Sequence, residues 1–296
     1  MPIKFALFAL FVCFIWGVNF AVMKIGLEQL DPYLFGLIRF SIVLVCLLPW
    51  LKMVPGSMFK LFVLGNFIGG FQFALVFLGM DLTNYVSAMS VVVQMNIPIT
   101  LLLAHFFLAE RMSYWRTGGV IVSFLGVLII TLEPAILEEG MAVLIILAAT
   151  ILYSLGIILM RKMIAIPVFQ TQAWVSFYSV PVFLIMTYMF EADQISQIEN
   201  LDMVGISMVL YTSILSTIVG YGGMNYLLRR YPVTLISPFM VSVPVFATIS
   251  AVIFLNEVVT VKFIIGAMVT LSGLGIIHYR DWQLKKRSKV IANEGA

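Results

Sequence analysis

The chain reads as an all-α polytopic membrane protein, with ten transmembrane helices in a 5+5 inverted repeat and both termini cytoplasmic. Three observations predict this. Ten apolar runs of about 15 to 26 residues fill nearly the whole sequence, and each is about the length that crosses a bilayer. Basic residues gather in alternate connections, as the positive-inside rule requires of cytoplasmic loops. The second half of the sequence repeats the order of features in the first. Composition agrees: 62% of the 296 residues are hydrophobic and 10% charged, where soluble domains carry about 25% charged residues. In lipid every backbone amide must be satisfied without water, which leaves helices or a closed barrel. The runs lack the strict alternation of barrel strands.

The spans fall at 5–26, 32–50, 61–80, 85–109 and 117–132, then 141–160, 168–190, 203–228, 233–255 and 263–279. The first holds Trp16, Gly17 and Asn19 at its middle, and the second carries Arg39 about seven residues past Pro32. Gln72 lies in the third, and Gln94, Asn96 and Pro98 lie in the fourth. Gly119, Ser123 and Gly126 share one face of the fifth, and Tyr153 marks the sixth. The seventh runs into the acidic link from Glu191 to Asp202. Tyr211, Tyr221 and Asn225 lie in the eighth, Pro244 in the ninth, and Gly266, Thr270 and Gly273 in the tenth.

With the amino terminus inside, 14 of the 17 Lys and Arg residues fall on the cytoplasmic side, Lys262 falls outside, and Lys24 and Arg39 lie within spans. The first span is too long for a removable signal peptide. The tail Lys285, Lys286, Arg287 and Lys289 is expected to anchor the last span or to contact anionic lipid. No nucleic-acid partner is expected.

Several chemistries lack parts. Cys13 and Cys46 are far apart and His105 and His278 are the only histidines, so no cluster has metal-ligand spacing. No serine in a span has a His or acid partner nearby for nucleophilic catalysis. No enzyme activity, metal or cofactor is expected. None of the 14 acids lies mid-span, whereas proton-driven pumps often use an intramembrane carboxylate.

The repeat aligns Tyr85-Val86-Ser87-Ala88 with Tyr231-Pro232-Val233-Thr234, an offset of 146 that also carries Pro98 onto Pro244. At an offset of 147, Glu110 meets Glu257, Gly119 meets Gly266 and Gly126 meets Gly273. The halves are taken as 1–133 and 138–290. Five spans per half is an odd number, so the halves must lie oppositely in the membrane. Inverted repeats of this kind place a substrate site between the halves near mid-depth and give two interchangeable states.

Pro98 and Pro244 lack an N–H and clash with the preceding turn, which frees the carbonyls of Gln94 and Met240 and kinks both helices. Such kinks either line a wet cavity or are packing features closed by interhelical hydrogen bonds. Trp16, Asn19, Tyr153, Gln72, Tyr221, Asn225, Gln94 and Asn96 are the polar groups expected to converge on a central pathway, against ordinary interior packing. An embedded Arg costs about 2.5–3.5 kcal/mol on insertion scales, so Arg39 must find an interior partner, attract a substrate carboxylate or snorkel outward. The glycine faces of the fifth and tenth spans read as close helix contact.

These residues resemble the EamA family of the drug/metabolite transporter superfamily. The likeness rests on Trp16-Gly17-x-Asn19-Phe20 with Lys24, Arg39-Phe40, and Leu108-Ala109-Glu110-Arg111. It continues through Thr217-Ile218-Val219-Gly220-Tyr221, Tyr231-Pro232-Val233-Thr234, Ser237-Pro238, Val243-Pro244-Val245-Phe246-Ala247 and Leu255-Asn256-Glu257 with Gly266-Ala267. The stretches from Tyr85 to Glu110 and Thr217 to Ala247 are similar to the O-acetylserine/cysteine exporter branch. The resemblance implies a ten-helix carrier in a bacterial inner membrane that exports amino acids or related small metabolites by alternating access. The competing expectations are a multidrug or lipophilic-cation efflux carrier and a membrane scaffold or sensor without flux.

Overall fold

The structure, a computed structural model, describes residues 2–108, 113–161, 166–231 and 233–294. Glu110 and Arg111 at the end of the fourth span, Lys162 and Pro232 lie outside the described residues. Among the described residues every regular element is helical. The principal helices are α1 Ile3–Leu27, α2 Pro32–Trp50, α3 Met58–Asp81, α4 Val86–Leu108, α5 Tyr114–Thr131, α6 Gly140–Met160, α7 Val168–Phe190 and α8 Met203–Arg230. These eight are long and apolar enough to cross a membrane. Then come α9, in two pieces at Val233–Met240 and Ser242–Leu255, and α10, Val261–Glu294. The pieces of α9 and the apolar part of α10, Val261–Ile277, are shorter than the first eight. Short connections make successive helices antiparallel.

Large apolar side chains such as Phe106, Leu184, Tyr188, Ile253 and Met268 are exposed on the outside of the bundle. A surface this apolar is stable only against another apolar phase, here the lipid. Inside, Phe35, Phe40, Phe77 and Phe183 are buried and pack ring against ring, Phe35 on Phe77 at 5.3 Å and Phe40 on Phe183 at 5.4 Å. This aromatic knot joins α2, α3 and α7.

The expected breaks are present, with different consequences at each. Helix α4 is interrupted at Gln94 and Met95, and the Gln94 carbonyl that Pro98 cannot serve accepts from the Ile97 amide at 3.1 Å. Helix α9 is interrupted at Val241. The Met240 carbonyl that Pro244 leaves free accepts from Gln94 Nε2 at 3.4 Å. One kinked helix thus satisfies the other across 146 positions, the repeat offset itself.

Two features carry no signature in the sequence pattern. Helices α3 and α8 each contain a π-helical stretch, Gly65–Phe71 and Tyr211–Gly220. Their first residues also stand 146 positions apart (211 less 65). A π turn widens the helix by one residue per turn and is common at functional sites. Unlike these, the internal proline of α7, Pro181, is plain in the sequence.

The glycine faces of α5 and α10 meet. A Cβ added at Gly119 would stand 2.8 Å from the Gly273 carbonyl oxygen, and one at Gly266 would stand 2.9 Å from that of Gly126. Ser123 Oγ donates to the Thr270 carbonyl at 3.4 Å. Gly17 does the same for α1 against α9, where a Cβ would stand 2.8 Å from the Val243 carbonyl oxygen.

Candidate functional site

All nine polar residues expected on the pathway, Trp16, Asn19, Arg39, Gln72, Gln94, Asn96, Tyr153, Tyr221 and Asn225, line one cavity of about 720 Å³. They come from α1, α2, α3, α4, α6 and α8, so both halves contribute. Pro98 and Pro244 do not line it; their neighbours Gln94, Asn96, Met240 and Val243 do. Tyr211, grouped with these residues at the sequence level, is not among the lining residues. Its hydroxyl instead donates to the Ile15 carbonyl at 3.0 Å, tying α8 to α1.

The π stretch of α8 organises one wall. Thr217 Oγ1 donates to the Thr212 carbonyl, five residues back, at 2.9 Å, the spacing that π winding exposes. The same hydroxyl accepts from Arg39 Nη2 at 3.0 Å. The Ser216 carbonyl accepts from Trp16 Nε1 at 3.0 Å, and the Trp16 ring lies 5.3 Å from that of Tyr221. On the other wall, Ser154 Oγ donates to the Asn96 carbonyl at 3.1 Å, holding α6 on the broken part of α4.

Arg39 is buried, and its guanidinium carbon lies 4.6 Å from the Phe73 ring centroid, 5.6 Å from Phe77 and 5.8 Å from Phe40. It does not snorkel outward. Its Nε and Nη1, with Asn19 Oδ1 and Gln72 Oε1, are buried without a hydrogen-bond partner. Among the described lining residues Arg39 is the only charged one. Sequence reasoning missed Phe73 and Thr217 as its partners. Phe73 looked like one more core aromatic, and Thr217 is placed by π winding that composition does not reveal.

The two ends of the cavity differ. Leu64, Met160, Ile166, Val168, Thr171, Gln172 and Leu228 extend its lining toward the face where α1 begins. At the opposite face, loops from both halves are laced together. Glu191 accepts from the Tyr33 and Leu34 amides at 2.5 and 2.9 Å, capping α2. Gln197 Nε2 donates to Asp31 at 2.7 Å, and Gln29 Nε2 donates to Asp202 at 2.9 Å. Glu139 accepts from the Thr83 hydroxyl at 2.5 Å and from the Asn84 amide. Glu257 accepts from the amide and hydroxyl of Ser87, and Thr260 donates to Glu133 at 2.7 Å. Lys24, which lies within the first span, donates to the Asp81 carbonyl at 2.8 Å. The acids read as loop charges are the fasteners of this face.

Among the described residues no group of His, Cys, Asp and Glu could hold a metal. The cavity is of a size to hold a small molecule, and its described lining residues include no His, Cys, Asp or Glu.

Comparison with known proteins places this arrangement. The model of the EamA-like transporter family matches residues 3–132 and again 140–279. A protein of Salmonella typhimurium named "Probable amino-acid metabolite efflux pump" is 29% identical over 93% of this chain and 95% of its own. Its namesake in Escherichia coli is 27% identical over the same shares. An uncharacterized transporter of Archaeoglobus fulgidus is 30% identical over 93% of this chain and 98% of its own. A crystal structure with 14% sequence identity matches with a TM-score of 0.64 over 93% of this chain and 98% of its own, a likeness of fold alone. The chain belongs to the EamA-like transporter family: it is a membrane transporter, not an enzyme.

Proposed function

We propose that the protein is a secondary carrier that exports small zwitterionic metabolites, amino acids or their derivatives, from a bacterial cell by alternating access. In this reading ten spans form two inverted halves, residues 1–133 and 138–290, in the inner membrane with both termini cytoplasmic. The described conformation is then open to the cytoplasm and sealed outside. The observation that carries the reading is the cavity, lined from both halves and extended toward one face, with dense hydrogen bonding across the other.

Further support comes from where equivalent residues meet. Ser123 and Thr270, 147 positions apart, share a hydrogen bond. Gly119 packs on Gly273 while Gly126 packs on Gly266, so equivalent residues exchange roles across the contact. That reciprocity is the mark of a two-fold relation. The family model's separate match to each half points the same way, and the two efflux pumps suggest the substrate class. The lipophilic-cation alternative calls for a membrane-embedded acid, and none of the described lining residues is Asp or Glu. Pro98 and Pro244 would let the gate helices bend.

The test is flux in proteoliposomes with labelled amino acids and a lipophilic cationic dye, with and without a pH gradient. Amino-acid flux is expected, and Asn19→Ala or Gln94→Ala should each slow it about 2- to 10-fold, the worth of one hydrogen bond. Unchanged rates in both variants would remove these residues from the pathway; dye flux without amino-acid flux would overturn the substrate reading.

A further inference from the structure

The cavity carries an electrostatic demand that nothing in the protein meets. Arg39 is 2% exposed and spends one N–H on Thr217. Its Nε and Nη1 are without acceptors. Three phenylalanine faces lie around it, and such faces attract a cation but accept no hydrogen bond from the fork as a carboxylate does. A buried charge with unused donors is costly unless some bound state supplies the partner. Asn19 Oδ1 and Gln72 Oε1, on neighbouring helices and lining the same cavity, lack the complementary partner, a donor.

We propose that Arg39 determines specificity by binding the substrate's carboxylate, so that the carrier selects its cargo by that group and rejects the decarboxylated amine. This rests on the reading of the cavity as the transport site. Asn19 and Gln72 accept from N–H donors on the cargo, and their neutrality explains why an amine alone gains little. An ammonium without its carboxylate would approach an unneutralised guanidinium across a cavity with no acid among its described lining residues, a like-charge contact that low dielectric strengthens. A carboxylate removes that repulsion and satisfies the orphaned donors in one step. Thr217 is a positioning residue: its hydroxyl, fixed by the π winding of α8, holds Nη2 and leaves the remaining N–H groups to the ligand. Arg rather than Lys fits this task, because a planar fork can hold Thr217 and a carboxylate together.

The experiment is calorimetric binding to the purified full chain in lipid nanodiscs. The twenty standard L-amino acids are screened first. The tightest binder is then compared with its decarboxylated amine and its deaminated acid. The amino acid and the deaminated acid are expected to bind, and the amine to bind at least 10-fold more weakly. Arg39→Gln should weaken both carboxylates about 10- to 100-fold, the range for a charge-assisted hydrogen bond, and abolish the preference over the amine. Arg39→Lys should recover part of the loss. If the Arg39 variants fail to fold, Thr217→Val serves in their place, with a smaller loss confined to the carboxylate ligands. Equal affinity for amine and amino acid, or no binding of any amino acid, overturns the proposal. The carrier reading fails separately: carboxylate binding without vesicle flux would sink transport and leave Arg39 its role. Flux without carboxylate preference would do the reverse.

Discussion

Replacing Glu257 with Ala will open the face opposite the start of α1, raising cavity access from that side about 10- to 100-fold. Glu257 follows Asn256, whose left-handed backbone (φ 53°) turns the chain at the end of α9. That turn aims the carboxylate at the first turn of α4, where it accepts from the Ser87 amide at 3.1 Å and from the Ser87 hydroxyl. The contact joins the end of α9 in the second half to the start of α4 in the first. Truncation leaves both Ser87 donors unsatisfied, and hydrogen bonds to a charged group are worth about 1.5–3 kcal/mol. A loss of that size confined to one conformation shifts its population by the stated factor. The measurement uses a background in which Cys13 and Cys46 are Ser and Met23, a buried cavity residue, is Cys. The readout is its labelling rate by a membrane-impermeant maleimide applied to that face. An unchanged rate in Glu257→Ala would end the latch argument.

The same latch sets a pH dependence whose sign runs against intuition. Burial raises the Glu257 carboxyl above its ordinary value; nearby Glu139 adds to the rise, while bonds from Ser87 and Val86 oppose it. Glu191 shifts upward for the same leading reason. Opening this face would solvate both groups and return them toward about 4.3. The closed state therefore binds protons more tightly, and acidification favours closure. This contribution is fully present below the ordinary carboxylate value and is lost as pH rises through the raised one. Labelling of the Met23→Cys reporter, taken relative to a freely accessible thiol at the same pH because maleimide reacts with the thiolate, should slow as that face is acidified through the window. Glu257→Gln, which keeps an acceptor and a donor for Ser87, should stay closed and respond less to pH, Glu191 remaining. A response that keeps its full size would place the titration elsewhere.

Much of this architecture was legible because bilayer physics writes it in one dimension. Span length needs no tertiary knowledge, and eight long apolar helices coincide with the first eight expected spans. The polar lining was legible for a related reason: Asn19, Gln94 or Asn225 in a span has few places to go except a shared interior. The hidden features depend on coordinates. A π stretch such as Gly65–Phe71 has the composition of any apolar helix, so Thr217's grip on Arg39 could not be read. The acids Glu139, Glu191 and Glu257 looked like loop charges because their partners are backbone amides and hydroxyls far away in sequence. Tyr211 shares the eighth span with Tyr221 and Asn225, but polarity in a span does not say which side of the helix finds a carbonyl.

Gly126→Ala will destabilise the bundle severely, while Gly118→Ala eight residues earlier on α5 will not. A Cβ at Gly126 would collide with the backbone nitrogen and hydroxyl of Thr270 and stand 2.7 Å from the Gly266 carbonyl oxygen. Backbone cannot rotate aside as a side chain does, so α5 and α10 must separate. Overpacking of this kind costs about 1–3 kcal/mol, occasionally more. Separation also lengthens the Ser123 to Thr270 bond, already 3.4 Å, and loosens the facing contacts at Gly119, Gly266 and Gly273. At Gly118 an added Cβ meets nothing within 4 Å, and Ala is the better helix former by about 1 kcal/mol. Thermal melts of the two variants in detergent, followed by size-exclusion chromatography, should therefore move in opposite directions or leave Gly118→Ala unmoved. Equal melting temperatures for both would mean that α5 and α10 do not depend on close backbone approach. The contrast bears on the proposed alternating access, in which the kinked helices α4 and α9 would bend against a part that does not move. Two helices locked glycine to glycine, which contribute none of the described cavity residues, would supply that fixed part.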